Sequence, residues 1–244
     1  MTTPFEVITS HRSIRKYADD QVKPQHLQQI LEAAKAAPTS VNGQQFSVIV
    51  VTDPEVKAKL AQVAGNQGYI ASCPVFLLFC ADFSRVAKAL DNQGLPFGAM
   101  ASTEATLVGA VDCGIAFANS MTVAESLGYG IVPIGAVRRD PAEVIDLFEL
   151  PRYVYPILGM CIGVPAEDPG QKPRFDRGVL VHEEKYRPIT DRELAEYDRT
   201  IAGYMDRRTG GESRRTWSEG PAAIYQSSYF PKVDPTLAEQ GFKG

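Results

Sequence analysis

The chain has 244 residues, of which 44% are hydrophobic and 22% charged, and a net charge of −4. That composition supplies a sizeable core, while the acidic balance disfavours a general nucleic-acid binder. The opening Met1-Thr2-Thr3-Pro4-Phe5-Glu6 lacks the charged and apolar regions of a secretory signal.

A short basic segment comes first along the chain, His11-Arg12-Ser13-Ile14-Arg15. Arginine forks and a serine hydroxyl suit phosphate oxygens through charge-assisted hydrogen bonds. Lys172-Pro173-Arg174 lies far downstream, and two such clusters point to one anionic ligand gripped from both ends. Either cluster alone reads equally well as solvated surface charge. Residues 24–37 place Leu27, Ile30, Leu31 and Ala34 on one helical face. Pro38 ends that helix and opens the polar loop Thr39-Ser40-Val41-Asn42-Gly43. Residues 46–51 and 75–80 are short apolar runs that predict buried strands.

Residues 99–127 predict one long central helix. Glu104, Asp112 and Glu125 interrupt it, which favours a buried helix over a membrane span. Its Gly109, Gly114, Ala116 and Ala118 would let a second helix approach closely, as in a dimer seam. A strand over 128–136, a short helix over 142–148 and a strand over 155–164 follow. Residues 191–208 predict a helix with Leu194, Tyr197, Ile201, Tyr204 and Met205 in a stripe. Beyond Trp217 the proline-punctuated tail reads as extended and irregular. No repeat or linker splits the chain, so a single domain over residues 1–244 is expected, with a C-terminal arm from about 210.

Cys73, Cys80, Cys113 and Cys161 show no CxxC spacing and read as buried free thiols. A reducing compartment follows, the cytoplasm being the simplest. Gly128-Tyr129-Gly130-Ile131-Val132-Pro133 starts like a dinucleotide fingerprint, but Pro133 replaces the third glycine and the run precedes a strand. There is no GxxxxGK[ST], GxSxG or HExxH, and three scattered histidines make a metal site an unsuitable reading. The absence of an acid, base or nucleophile constellation fits an enzyme whose cofactor carries the chemistry.

Taken together, His11-Arg12-Ser13-Ile14-Arg15 with Tyr17, Thr39-Ser40, Ala64-Gly65-Asn66-Gln67 and Phe79-Cys80-Ala81-Asp82 resemble, in order, the FMN-dependent nitroreductases. Ala124-Glu125-Ser126-Leu127-Gly128, Ile134-Gly135 with Arg138, Leu158-Gly159 with Gly163, Lys172-Pro173-Arg174, Tyr197-Asp198 and Arg214-Arg215-Thr216-Trp217 continue the resemblance. It is nearest to the NADPH-dependent nitroreductase and flavin reductase group. The resemblance implies an α+β fold with a mainly antiparallel sheet flanked by helices. It also implies an intertwined homodimer with two FMN sites at the subunit interface.

By the same resemblance, Arg12, Ser13, Arg15, Lys172 and Arg174 would bind the FMN phosphate and its surroundings. His11 would belong to that site, although it also suits a capping or packing role. Thr39 and Ser40 would hydrogen-bond the flavin or its ribityl chain, and two hydroxyls after Pro38 equally suit a turn. Gln67 and Tyr69 would contact the flavin, Gln67 being able to donate and accept. Ile134, Gly135 and Ala136 would pass beside the ring; Pro133 and Ala136 stand where a tyrosine and a second glycine are common in the family. Arg207, Arg208, Arg214 and Arg215, with only Glu212 as an evident acidic partner, would read the 2′-phosphate of NADPH or form a solvated loop. The implied activity is ping-pong two-electron transfer from NADPH to nitroaromatics, quinones or flavins, without membrane or nucleic-acid partners. A flavin-binding sensor or carrier without turnover is the alternative.

Overall fold

The run Val75–Asp82 is apolar at nearly every position, so it needs cover on both faces, and it is buried throughout its length. The computed structural model describes residues 3–242. Their helices begin with α1 (Pro4–Thr9), α2 (Pro24–Lys35), α3 (Pro54–Val63), α4 (Gly68–Ser72), α5 (Ser84–Asn92), α6 (Thr103–Ser126) and α7 (Pro141–Leu147). Next come α8 (Arg177–Leu180), α9 (Asp191–Arg208), α10 (Glu219–Tyr225) and α11 (Val233–Glu239). The strands are β1 (Phe46–Val51), β2 (Val75–Asp82), β3 (Gly130–Ile134) and β4 (Val154–Gly163).

The sheet runs β1-β2-β4-β3 with every pair antiparallel. Alternation along β2 divides its side chains between two cores. Phe76, Leu78 and Cys80 join Leu60, Ile70 and Val144 on one side. Leu77 and Phe79 join Ile30, Ala116, Phe117 and Met160 on the other, where α2 and α6 lie. The result is the α+β class expected from the sequence, with helices on both faces of an antiparallel sheet.

Contacts sort the chain into two compact units, although the sequence offers no evident linker. The first runs to Asp168 and resumes at Phe230; the second is Pro169–Tyr229. In the first unit the returning chain brings α11 and Phe242 into the core, where Phe242 meets Phe83 and Tyr155 edge-on. The second unit is organised on α9. A capping box, in which Thr190 and Glu193 satisfy each other's backbone N–H groups, starts that helix. Phe175, Tyr197 and Trp217 form its aromatic centre, with Phe175 and Tyr197 only 3.7 Å apart.

Several expectations need correction. The tail beyond Trp217 contains α10 and α11 instead of extended chain. Pro221 and Pro235 both fall in first turns, where a missing N–H costs no helical hydrogen bond. The predicted strand over 128–136 narrows to β3, because Gly135–Arg138 closes into a 3-10 turn. The long helix starts at Thr103, after a separate 3-10 turn over Gly98–Ala101.

The small residues of α6 also divide. Gly109 packs against Ala81 and Phe83 and Ala116 is buried, so those two serve the chain's own core. Gly114 and Ala118 are exposed, in line with exposed Leu107 and Val111. Among the described residues, α6 is the helix long and apolar enough to cross a membrane, and its Cys113, Ala116, Phe117 and Ala124 are buried in the core. The four cysteines are free and buried.

Candidate flavin and anion site

The segment carrying His11–Arg15 lies directly beside β3. Ser13 bridges Ile131 in parallel, and the Ile14 N–H donates to the Ile131 carbonyl at 2.9 Å. Such close approach depends on Gly130, since a Cβ there would come within 2.6 Å of the buried Ile14 side chain. The segment then passes the end of β4. Ala18 donates to Val164 O and Lys16 O accepts from Ala166, each at 2.9 Å. Tyr17 donates its hydroxyl to Ile14 O at 2.8 Å, and burial pushes that hydroxyl's pKa far up, so it stays a neutral donor.

This course brings together residues far apart in sequence. The Arg15 guanidinium stands 5.8 Å from the centre of the Tyr69 ring. Tyr69 in turn donates to Gln67 Oε1, and Gln67 Nε2 donates to Ala64 O at 2.8 Å. Gly65 and Asn66, both at positive φ, turn the chain out of α3 so that Gln67 opens α4. Glycine takes that conformation without cost. At the far end of β3, Ile134-Gly135-Ala136 begins the 3-10 turn, and Arg138 anchors it by donating to Ile157 O. Ser13 is level with Ile131, three residues from Ile134, so the hydroxyl and this turn are separated by about 10 Å of strand.

The charges at the segment are not equivalent. Arg12 pairs with Asp168 at 3.0 Å, and Glu167 accepts the backbone N–H groups of Arg15 and Lys16 at 2.8 and 3.1 Å. Among the described residues Arg15 makes no ion pair; its guanidinium donates only a long bond, 3.4 Å, to Ser13 O. His11 has a partner that sequence reasoning did not assign. Its Nδ1 lies 2.6 Å from Glu125 Oε1, and its Nε2 lies 3.5 Å from Ser13 Oγ. No local sequence signal links His11 to Glu125, because 114 positions separate them.

Thr39 and Ser40 take part in different contacts. Ser40 N donates to Asp112 Oδ1 on α6 at 3.2 Å, and Thr39 Oγ1 accepts from Gln44 N at 3.0 Å. Their turn holds Val41, Asn42 and Gln44 at positive φ, with Val41 almost wholly exposed. A β-branched residue in the left-handed region is strained and persists only where neighbours impose it.

Lys172 and Arg174 belong to the second unit. Arg174 donates to Lys172 O at 2.8 Å, and the Tyr197 hydroxyl holds Pro173 O at 2.9 Å. The four arginines of the 207–215 stretch are unequally committed. Arg214 pairs with Asp206 at 2.9 Å, an acidic partner in addition to the Glu212 expected from the sequence. Arg208 bonds the Tyr204 hydroxyl at 3.1 Å, and Arg215 donates to Glu219 O at 3.0 Å. Arg207 is exposed and free of ion pairs among the described residues.

The donor set suits a flavin mononucleotide. Arg15 and Ser13 offer charge and a hydroxyl to a phosphate, and Gln67 retains an amide N–H for a polar ring edge. A Cβ at Gly135 would meet only Arg138, at 3.5 Å, so its backbone is open to a ligand. Fold and site together define an α+β protein with an anion grip and an open backbone turn along one strand. The chain belongs to the nitroreductase family. The family model covers residues 8–164, and the model of the family's C-terminal domain covers 172–244. The chain is 45% identical to an FMN reductase (NAD(P)H) of Bacillus subtilis strain 168, over all of this chain and 99% of that one. It is 37% identical to an NADPH-flavin oxidoreductase of Vibrio harveyi, covering 99% and 98%. Among solved structures, B. megaterium NfrA2 matches with a TM-score of 0.97 at 43% identity, over 100% and 99% of the two chains.

Proposed function

We propose that this protein is an FMN-dependent NADPH oxidoreductase that passes two electrons to small acceptors such as nitroaromatics, quinones or free flavins. The observation carrying the reading is the unpaired Arg15 guanidinium beside Tyr69 and Gln67, on a segment whose Ser13 lies along β3 from the open Gly135 turn. The names of similar proteins, FMN reductase and NADPH-flavin oxidoreductase, support the same chemistry. FMN, when bound, supplies the two-electron transfer itself.

The chain's residues bind and orient. Ser13 and Arg15 hold the phosphate, joined by His11, Arg12, Lys172 and Arg174. Gln67 and Tyr69 contact the flavin, and the backbone of Ile134, Gly135 and Ala136 lies against the ring. Thr39 and Ser40 complete the site. Arg207, Arg208, Arg214 and Arg215 receive the 2′-phosphate of NADPH, a group that NADH lacks. The four unpaired thiols suit a reducing compartment such as the cytoplasm.

One experiment tests the reading. Purified protein is titrated with FMN and then mixed with NADPH or NADH while flavin absorbance is followed. Bleaching by NADPH, with slower bleaching by NADH, is expected. Arg15→Ala should weaken FMN binding by roughly ten-fold or more, the loss of a hydrogen bond to a charged group. FMN binding without bleaching would indicate a flavin sensor or carrier. Unchanged FMN affinity in Arg15→Ala would remove the anion site itself.

A further inference from the structure

Glu125 stands where a carboxylate is costly. It lies in the last turn of α6, whose carbonyl ends disfavour negative charge. Its side chain is only 13% exposed, and Oε2 is buried without a hydrogen-bond partner. A glutamine would also bond a neutral histidine without burying charge. What an acid adds is an interaction with a cation, and the group facing it is the His11 ring, 2.6 Å away and 18% exposed.

The other charged groups on the neighbouring elements are turned elsewhere. Glu6 of α1 caps Thr3, and Arg12 pairs with Asp168. The Tyr129 hydroxyl, just before β3, bonds Lys23 N and His26.

Hydrogen-bond direction then determines the state of the ring. Nδ1 faces a carboxylate oxygen and must carry a proton. Nε2 faces Ser13 Oγ at 3.5 Å, long for a hydrogen bond in the free site. Were Nε2 bare, the Ser13 hydroxyl would donate to it and turn lone pairs toward the ligand, which repels an anion. With a proton on Nε2, Ser13 accepts from the ring and is free to donate outward to a phosphate oxygen.

We propose that Glu125 is a positioning residue that acts through His11, forming a carboxylate–imidazolium–hydroxyl relay that points hydrogens at the FMN phosphate. The inference rests on the reading that the His11–Arg15 segment binds that phosphate. It adds a role for Glu125 and a charge state for His11. The proton on Nε2 comes from solvent as the phosphate binds, or is already present, and no bond other than N–H forms or breaks.

The test is nitrogen NMR of the FMN-loaded protein labelled at histidine, with the His11 ring identified among three histidines by its loss in His11→Gln. Both ring nitrogens should carry protons in the wild type across about pH 6 to 8, the range in which histidine charge changes. Glu125→Gln should hold a single proton at the upper end of that range. Its FMN Kd should rise there by about ten-fold relative to the lower end, as expected for losing a hydrogen bond to a charged group. Glu125→Asp should restore the charged ring. A neutral His11 in the loaded wild type would overturn the proposal, and so would an unchanged ring state in Glu125→Gln. Arg15→Ala serves as the separate control: if it binds FMN normally, the underlying site reading fails instead.

Discussion

Asp112 shows how one buried carboxylate can secure a strained turn at a price in stability. Oδ1 accepts the Ser40 N–H, while Oδ2 is buried and unpartnered. Burial raises the Asp112 pKa, with the backbone bond from Ser40 acting in the opposite direction. A raised acid binds its proton more tightly in the folded state. It therefore favours folding below the unfolded carboxylate range, near pH 4, and costs stability as pH rises through that range. Asp112→Asn keeps the acceptor for Ser40 and removes the buried charge. The variant is expected to gain roughly 2–4 °C in Tm at pH 7, equivalent to about 1 kcal/mol for a chain of this size. The gain should shrink toward pH 4. Thermal melts at both pH values check this; a lower Tm at pH 7 would mean that the carboxylate is paired.

At the scale of elements, the decisive contact is the 11–18 segment against β3 and β4. It is held by three backbone hydrogen bonds of 2.9 Å and by two glycines. A Cβ at Gly130 would press on Ile14, and one at Gly163 would press on Tyr17, each at 2.6 Å. Ile14 is 2% exposed and has little room to yield. Gly130→Ala is therefore expected to destabilise by about 1–3 kcal/mol through overpacking. Because the displaced segment carries Ser13 and Arg15, FMN affinity should fall as well. Denaturant melts and flavin titration of the same preparation check both effects. Normal affinity in a destabilised variant would detach the segment's position from binding.

At the scale of the whole molecule, α6 presents exposed Leu107, Val111, Gly114 and Ala118, spaced four, three and four residues apart. That spacing marks one side of a helix and matches the seam of two packed helices. Leu107 and Val111 are more than half exposed, as are Phe5 and Ile8 on α1. Exposed apolar surface of this kind marks interaction sites. A twofold dimer packed through α6 would cover it. Val111→Glu would be harmless on a monomer surface. In the proposed dimer it should shift sedimentation toward monomer at micromolar concentration and release FMN if both subunits build the site. A wild-type chain that sediments as a flavin-loaded monomer would contradict this assembly.

By itself the sequence determined the elements whose patterns are local. The apolar run of β2, the 3.6-residue stripe of α2 and the long small-residue helix need only neighbouring positions to be read. The motif order also identified the family, and with it Ser13, Arg15, Gln67 and Gly135 as candidates. Tertiary structure alone decided which partners those residues have. His11 meets Glu125, Arg12 is engaged by Asp168, Arg15 reaches Tyr69 and Arg214 is drawn to Asp206. It also sorted the glycines and alanines of α6 into buried and exposed sets. Local patterns report backbone preference and burial of a face, whereas these pairings depend on how distant segments cross the sheet. No spacing rule along the chain encodes that crossing.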